Sequence, residues 1–261
     1  MRKIWTIAKA TIRDALRQRV LNLLLVFALL AIATVFFMSR WTPGEQDKMI
    51  IDIGIGAIWF FGVVLSMVLG AFMIPQEVER KTLFTVLSKP VRRVEFILGK
   101  YLGAMITLGI NLALMTIVFF AAYGLKAAKL GTLSWYQAWN VLAAVLLCYA
   151  GLMILTMMAI VFSTRASAAL SLILTAFFYI VGNTGGMFEE LGARAGGGLM
   201  ASIAKAVSLI LPRFDMFDVR QVFVTGGFVP PSVLLVTMGY TLIYAFVLML
   251  IGYLLFNERE V

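Results

Sequence analysis

There is no histidine anywhere in the 261 residues. That absence removes His-ligated metal centres, Ser–His triads and HExxH zinc hydrolysis together. Only one cysteine occurs, Cys148, and it lies inside an apolar stretch, so no internal disulfide can form and the thiol says nothing of compartment. Charge is scarce as well. Asp, Glu, Lys and Arg make up 13% of the chain, against roughly a quarter in ordinary soluble domains. No GxxxxGK[ST] loop is present: the "GK" at Gly99–Lys100 has Val94 where the first glycine would stand, so this motif holds no ATP here.

What fills the space is hydrocarbon. The chain is 62% hydrophobic with a mean hydropathy of +0.98, and apolar runs of about 20 residues recur, the length that crosses a bilayer as a helix. The pattern predicts an all-α polytopic membrane protein, a single membrane domain over 1–261. Its six spans fall at about 20–38, 53–74, 98–123, 140–162, 166–182 and 233–256. The second is the hardest to bound. From 47 to 80 the pattern reads either as one long helix or as a piece in which Gly54 and Gly56 mark a bend or the end of an interfacial segment.

Ahead of the first span, "MRKIWTIAKATIRDALRQR" (1–19) sets Lys9, Arg13 and Arg17 four apart on one face, with Ile4, Trp5, Ile12 and Leu16 near the other. That is the pattern of a basic helix lying in the headgroup layer. The Ala31-Ile-Ala33 triplet mimics a signal-peptide cleavage site, but the apolar run continues past it, and the segment is read as an uncleaved span. With the N-terminus inside, 14 of the 22 basic residues fall on one side, which predicts that both termini are cytoplasmic. Trp41 and the Trp135/Tyr136/Trp139 cluster then form an outer aromatic belt. The net charge of +9 is accounted for by this asymmetry, and with no basic-aromatic platform nucleic acid is excluded as a partner.

The outer loops differ in kind. Residues 39–52 and 124–139 are short connectors, whereas 183–232 is long and partly apolar. There "LMASIAKAVSLIL" (199–211) has helical spacing but is too short to span, and "FDMFDVRQVFV" (214–224) reads as a second short helix. Backbone of this kind is tolerated at membrane depth only where protein or a water-filled cavity satisfies it. A small outer cap or re-entrant gate is expected. Glu189, Glu190, Asp215 and Asp218 read as its solvated charges.

One stretch breaks the apolar pattern. "EVERKTLFTVLSKPVRRVEFILGK" (77–100) holds nine charged residues around an apolar centre. Embedding them all would cost upwards of ~20 kcal/mol at the per-residue values of insertion scales, so the stretch belongs on the cytoplasmic face. Leu83, Phe84, Val86 and Leu87 cluster at helical spacing and Pro90 stops the helix soon after Ser88. The outcome is a helix of about two turns between two spans. It either rests on lipid headgroups or inserts into a groove on a soluble partner, which could then transmit motion to both spans.

"EVERKTLFTVLSKPVRRVEFILGKYLG" (77–103) resembles the signature of permease subunits of ABC-2 type transporters. "DIGIGAIWFFGVVLSMVLGA" (52–71) resembles the branch often labelled multicopper-enzyme maturation permeases. The resemblance covers the whole chain. It implies a coupling helix between spans two and three, short outer or re-entrant helices between spans five and six, and no ATPase activity in this chain. It also implies a prokaryotic cytoplasmic-membrane permease, an exporter, that dimerises with an identical or different permease. Each half would seat its coupling helix in a separate ATP-binding-cassette ATPase subunit, which holds ATP and Mg. By position, Thr82, Leu83, Phe84, Val86, Leu87 and Ser88 would contact that ATPase. Glu77, Glu79, Arg80 and Lys81 would form the leading flank, and Pro90, Arg92, Arg93, Glu95 and Lys100 the trailing one. The rival reading is a membrane scaffold or sensor that docks a cytoplasmic partner without transport.

Few polar residues fall within the spans. Asn111 reads as glue between helices, with substrate contact as the alternative. Asp52 reads as a cap at the N-terminus of the second span, with an outer gate as the alternative. The fifteen methionines are mostly scattered gap-fillers rather than a soft-metal site, and no His or Cys cluster accompanies them. Besides its protein partners the chain meets membrane lipid, and the shortage of intramembrane charge favours apolar or amphipathic cargo.

Overall fold

The computed structural model describes residues 2–38, 46–79, 93–130, 135–184, 211–219 and 227–257. Its helices are α1 (Arg2–Leu16), α2 (Arg19–Met38), α3 (Gln46–Met73), α4 (Pro75–Glu79), α5 (Arg93–Leu130), α6 (Trp135–Ser163), α7 (Ala168–Asn183) and α8 (Pro231–Asn257), with a 3-10 turn at Asp215–Phe217. Every regular element among the described residues is helical, as expected where hydrocarbon offers the backbone no water to bond.

Four helical stretches are long and apolar enough to cross a membrane: Ile50–Val78, Val94–Gly124, Gln137–Ser163 and Pro231–Leu255. The pair α1 and α2, bent by 64° at residues 17–18, meets the same criteria when taken together, and α7 is a shorter apolar helix of 16 residues. The chain is an all-α, multi-pass membrane protein. The six predicted apolar segments match helices to within two residues: the fifth starts two residues before α7 and the second runs one residue past α3. The third runs on to Leu130, because polar residues beyond a bilayer do not by themselves end a helix.

Gly54 and Gly56 do not mark a bend or an end. α3 passes through both, and Gly54 is buried where a Cβ would collide with the Phe119 ring of α5. Its missing side chain admits a neighbour rather than a kink.

α3 and α6 form the centre of the bundle: α2 and α5 pack on α3, α7 packs on both central helices, and α8 packs on α6 and α5. Their crossing is close. A Cβ on Gly70 would lie 2.9 Å from the Thr156 carbonyl oxygen, and the Ser66 and Thr156 hydroxyls bond at 2.8 Å in the buried seam. The Thr156 hydroxyl also bonds the Leu152 carbonyl at 2.8 Å. Two tyrosines tie α5 to α6 reciprocally: Tyr101 Oη donates to the Met153 carbonyl at 3.2 Å and Tyr149 Oη to the Met105 carbonyl at 3.0 Å.

The amphipathic α1 docks through a face the sequence pattern did not single out. Ala8, Thr11 and Ala15 are buried, while Trp5 and Leu16 stay 60% and 45% exposed. The partner surface is the start of α5, where glycines stand four apart. A Cβ on Gly99 would lie 2.7 Å from Ile7 Cβ and 3.0 Å from the Ile4 carbonyl oxygen. One on Gly103 would lie 2.6 Å from Thr11 Cβ and 2.9 Å from the Ala8 carbonyl oxygen. Small residues on both helices bring the backbones together, so α1 is held by protein. Beyond the bend, Asn22 Nδ2 donates back to the Leu16 carbonyl at 3.1 Å and ties the two arms.

Gly103→Leu should lower the thermal unfolding midpoint of the detergent-solubilised chain, at a cost of about 1–3 kcal/mol for overpacking a tight contact. Gly124→Ala, on the same helix with nothing within 4 Å of the new Cβ, should leave it unchanged or slightly raise it.

Candidate functional site

The two flanks of the charged segment meet. α3 ends at Met73 and the chain re-enters a helix at Pro75, with Glu77 N–H and Val78 N–H both donating to the Ile74 carbonyl. Proline suits this first helical position, since its missing N–H has no partner there to lose. The resulting α4 projects Glu77 toward α5, where Lys100 Nζ donates to its Oε1. Lys100 is buried, its side chain 6% exposed against 20% for Glu77, and its ammonium stands 5.7 Å from the centroid of the Phe96 ring. A desolvated ammonium needs such a partner, because an isolated charge is costly to bury. The ion pair bridges the base of the 80–92 connection. The glycines that seat α1, Gly99 and Gly103, flank Lys100, so three elements converge on one helical turn.

Of the sequence-predicted site residues, the structure brings Glu77 and Lys100 together. Glu79 closes α4 and Arg93 opens α5. Glu95 is half-buried in the first turn of α5. Thr82, Leu83, Phe84, Val86, Leu87 and Ser88 lie outside the described residues, as do Arg80, Lys81, Pro90 and Arg92. Asp52 is not a cap: α3 starts at Gln46, which places Asp52 in its second turn, beyond the exposed N–H groups. Asn111 Nδ2 donates within α5 to the Thr107 carbonyl at 2.8 Å. Asp52 and Asn111 sit on different helices and no bond joins them.

At the opposite end of the bundle, residues 211–219 form an aromatic plug. The expected second short helix is reduced, among the described residues, to the single 3-10 turn Asp215–Phe217. Residues three apart eclipse in such a turn, and both Phe214 and Phe217 are about 1% exposed. Phe214 packs on Tyr179 with ring centroids 5.1 Å apart, and Phe217 on Tyr240 at 6.3 Å. Trp59 Nε1 donates to Tyr179 Oη at 2.7 Å, joining α3 to α7 beside them. Gly182 allows the entry of the segment, since a Cβ there would lie 2.5 Å from the Pro212 carbonyl oxygen.

Asp215 and Asp218 are not simply solvated. Arg213 Nη2 donates to Asp215 Oδ2 at 3.1 Å, each about a third exposed, and Asp218 lines a small cavity with Trp59 and Phe217. Glu189 and Glu190 lie outside the described residues, as does 199–210. A polar clasp holds the return into α8: Asn140 donates to the Gly227 carbonyl at 2.9 Å and accepts from Val229 N–H at 3.1 Å. Beside it, Trp139 Nε1 donates to the Val229 carbonyl at 3.1 Å. Sequence reasoning placed Trp139 in an aromatic belt and overlooked Asn140, Phe214 and Phe217. The i, i+3 phenylalanines in "FDMF" were the available signal.

Comparison with known proteins adds the missing context. The family model described as ABC-2 family transporter protein matches residues 5–261, nearly the whole chain. The chain belongs to the ABC-2 transporter family. It is 30% identical over 132 residues to a protein of Pseudomonas aeruginosa described as probable ABC transporter permease protein NosY, covering 49% of this chain and 46% of that protein. A protein of Stutzerimonas stutzeri with the same description is 29% identical over 146 residues, covering 52% of this chain and 51% of the relative. The chain thus spans about half the length of the curated relatives it matches. No GxxxxGK[ST] loop occurs in the sequence of this ABC-2 family member.

Glu77→Gln and Lys100→Met should each lower stability by about 3 kcal/mol, the cost of stranding one partner of a buried pair. The double variant should lose less than the sum, as unfolding midpoints in a double-mutant cycle would read.

Proposed function

We propose that the chain is the membrane-spanning subunit of an ATP-driven exporter. On this reading residues 1–261 form one domain of six spans, α1 lies on the cytoplasmic surface and both termini are cytoplasmic. The chain pairs with a second permease, identical or not, in a prokaryotic cytoplasmic membrane. Residues 82–88 form a coupling helix seated in a separate ATPase subunit that carries ATP and Mg. The observation that supports this best is the Glu77–Lys100 ion pair, because a lever moves its rods only if its base is stiff. With α4 and α5 clasped and α1 locked onto the same turn of α5, displacement of the 80–92 connection is carried into α3, α5 and the surface helix together.

The aromatic plug at 211–219 is the element best suited to an outer gate. Among the described residues it packs buried rings around one 3-10 turn rather than a spanning helix, so it can withdraw without unwinding one. The description of the relatives as NosY is theirs, and cargo is assigned here only as apolar or amphipathic.

The chain purified from its native membrane in mild detergent should bring down an ATPase. Leu83→Glu with Leu87→Glu should cut both its recovery and its stimulated turnover about tenfold, the loss expected on removing apolar anchors from a groove. An unchanged ATPase, or none at all, would leave the scaffold reading instead. Ser88→Cys in a Cys148→Ser background should react with a membrane-impermeant maleimide in inverted vesicles and not in intact cells. Labelling of intact cells would reverse the orientation.

A further inference from the structure

Between α1, the α3–α4 junction and α5 lies a cavity of about 620 Å³, in the size range of small-molecule sites. Leu69, Phe72 and Met73 of α3 form an apolar floor, beside the polar Thr11, Gln18 and Gln76; of the four charged lining residues, Asp14 and Arg17 form an exposed rim and Glu77 and Lys100 a largely buried wall. The chain itself gives the depth of the mouth. Arg17 and Gln18, both on the lining, are the break where the axis turns through 64° from amphipathic α1 into apolar α2. A basic amphipathic helix that meets a spanning helix marks the headgroup layer.

The lining carries two positive and two negative groups, and they are not equivalent. Glu77 and Lys100 neutralise each other. Asp14 and Arg17 are exposed at the last turn of α1, which is closed by Arg17 N–H donating to the Asp14 carbonyl at 3.2 Å. Neither side chain forms an ion pair with a described residue. A guanidinium fork is matched to a phosphate, and a carboxylate to an ammonium. An apolar floor beneath such a rim is poorly served by water, which needs several polar partners, and well served by methylenes.

We propose that this cavity binds the headgroup of a zwitterionic, amine-bearing phospholipid. The phosphate lies on Arg17, the ammonium on Asp14, and the glycerol and first acyl methylenes on the α3 floor. A net anionic lipid fits worse, because the charges around the rim sum to zero and Asp14 would face a second negative group. The site requires the membrane-spanning fold but not the transport reading, and its occupancy wedges the α1–α3 angle from the lipid side.

The test is lipid competition on the full-length chain, solubilised with equal amounts of phosphatidylethanolamine, phosphatidylcholine and phosphatidylglycerol and read by native mass spectrometry. Phosphatidylethanolamine should be retained about tenfold over phosphatidylglycerol, the difference one charge-assisted contact makes. It should also exceed phosphatidylcholine, whose quaternary amine cannot donate a hydrogen bond. Retention should be lost in Asp14→Asn/Arg17→Gln. It should likewise be lost in Ala10→Trp, which fills the cavity from an exposed lining position and leaves the charges alone. Lys9→Gln, on the same helix but off the lining, should retain lipid normally. Equal or preferred retention of phosphatidylglycerol or phosphatidylcholine would overturn the proposal, as would indifference to the rim and filling variants or an equal loss in Lys9→Gln. No nucleotide or ATPase enters the measurement, so its failure leaves the transport reading intact, and loss of the transport reading leaves this site intact.

Discussion

Helices in a hydrocarbon solvent gain nothing by hiding apolar side chains from one another, since lipid tails are as apolar as leucine. What remains is the distance at which backbones can meet. In this bundle that distance is set by small residues at the crossings. Gly70 faces the Thr156 carbonyl in the α3–α6 seam, and Gly99 and Gly103 receive the Ile4 and Ala8 carbonyls of α1. The second crossing has the wider consequence. It decides where α1 lies, hence where the chain bends into α2, and hence the shape of the cavity beneath that bend.

The polar groups obey a complementary rule. Most buried hydroxyls bond the carbonyl four residues back in their own helix, as Thr107, Thr116, Thr175 and Thr241 do. Such groups are satisfied without linking one helix to another. Bridges between helices include Ser66 with Thr156, Tyr101, Tyr149 and Tyr123 across the α5–α6 seam, and Trp59 with Tyr179. α5 and α6 are thereby tied at three points along their seam, and two ends of the bundle are clasped separately. The ion pair at Glu77–Lys100 and the Asn140 clasp at Gly227–Val229 mark two such ends.

The charged segment joins two unlike rods. On its trailing side α5 continues for 38 residues, a length of about 57 Å at 1.5 Å per residue. On its leading side the helix is interrupted at Ile74–Pro75 before α4. A continuous rod carries rotation along its length and a proline junction absorbs it. The Lys100–Glu77 contact spans this difference and makes the two flanks respond together.

Much of this was legible in the residues. Hydropathy and length sufficed for membrane residence and for six apolar segments at nearly their observed positions. Charge scarcity singled out 77–100, whose motif pointed to the family that the whole-chain match shows. These readings succeed because they depend on composition and on neighbours in the chain. Contacts were another matter. Gly54 was read as a bend or the end of an interfacial segment and Asp52 as a cap, whereas the neighbour of the one is a ring on α5 and the helix of the other begins six residues earlier. Phe214 and Phe217 were placed in an outer cap, yet they are buried among helices that come from distant parts of the chain. The amino-acid order by itself determined which segments must be helical and immersed, since every residue carries its own transfer free energy. Only the tertiary structure decided which glycine admits a neighbour and which charge finds a partner, since a crossing belongs to two segments and is written in neither alone.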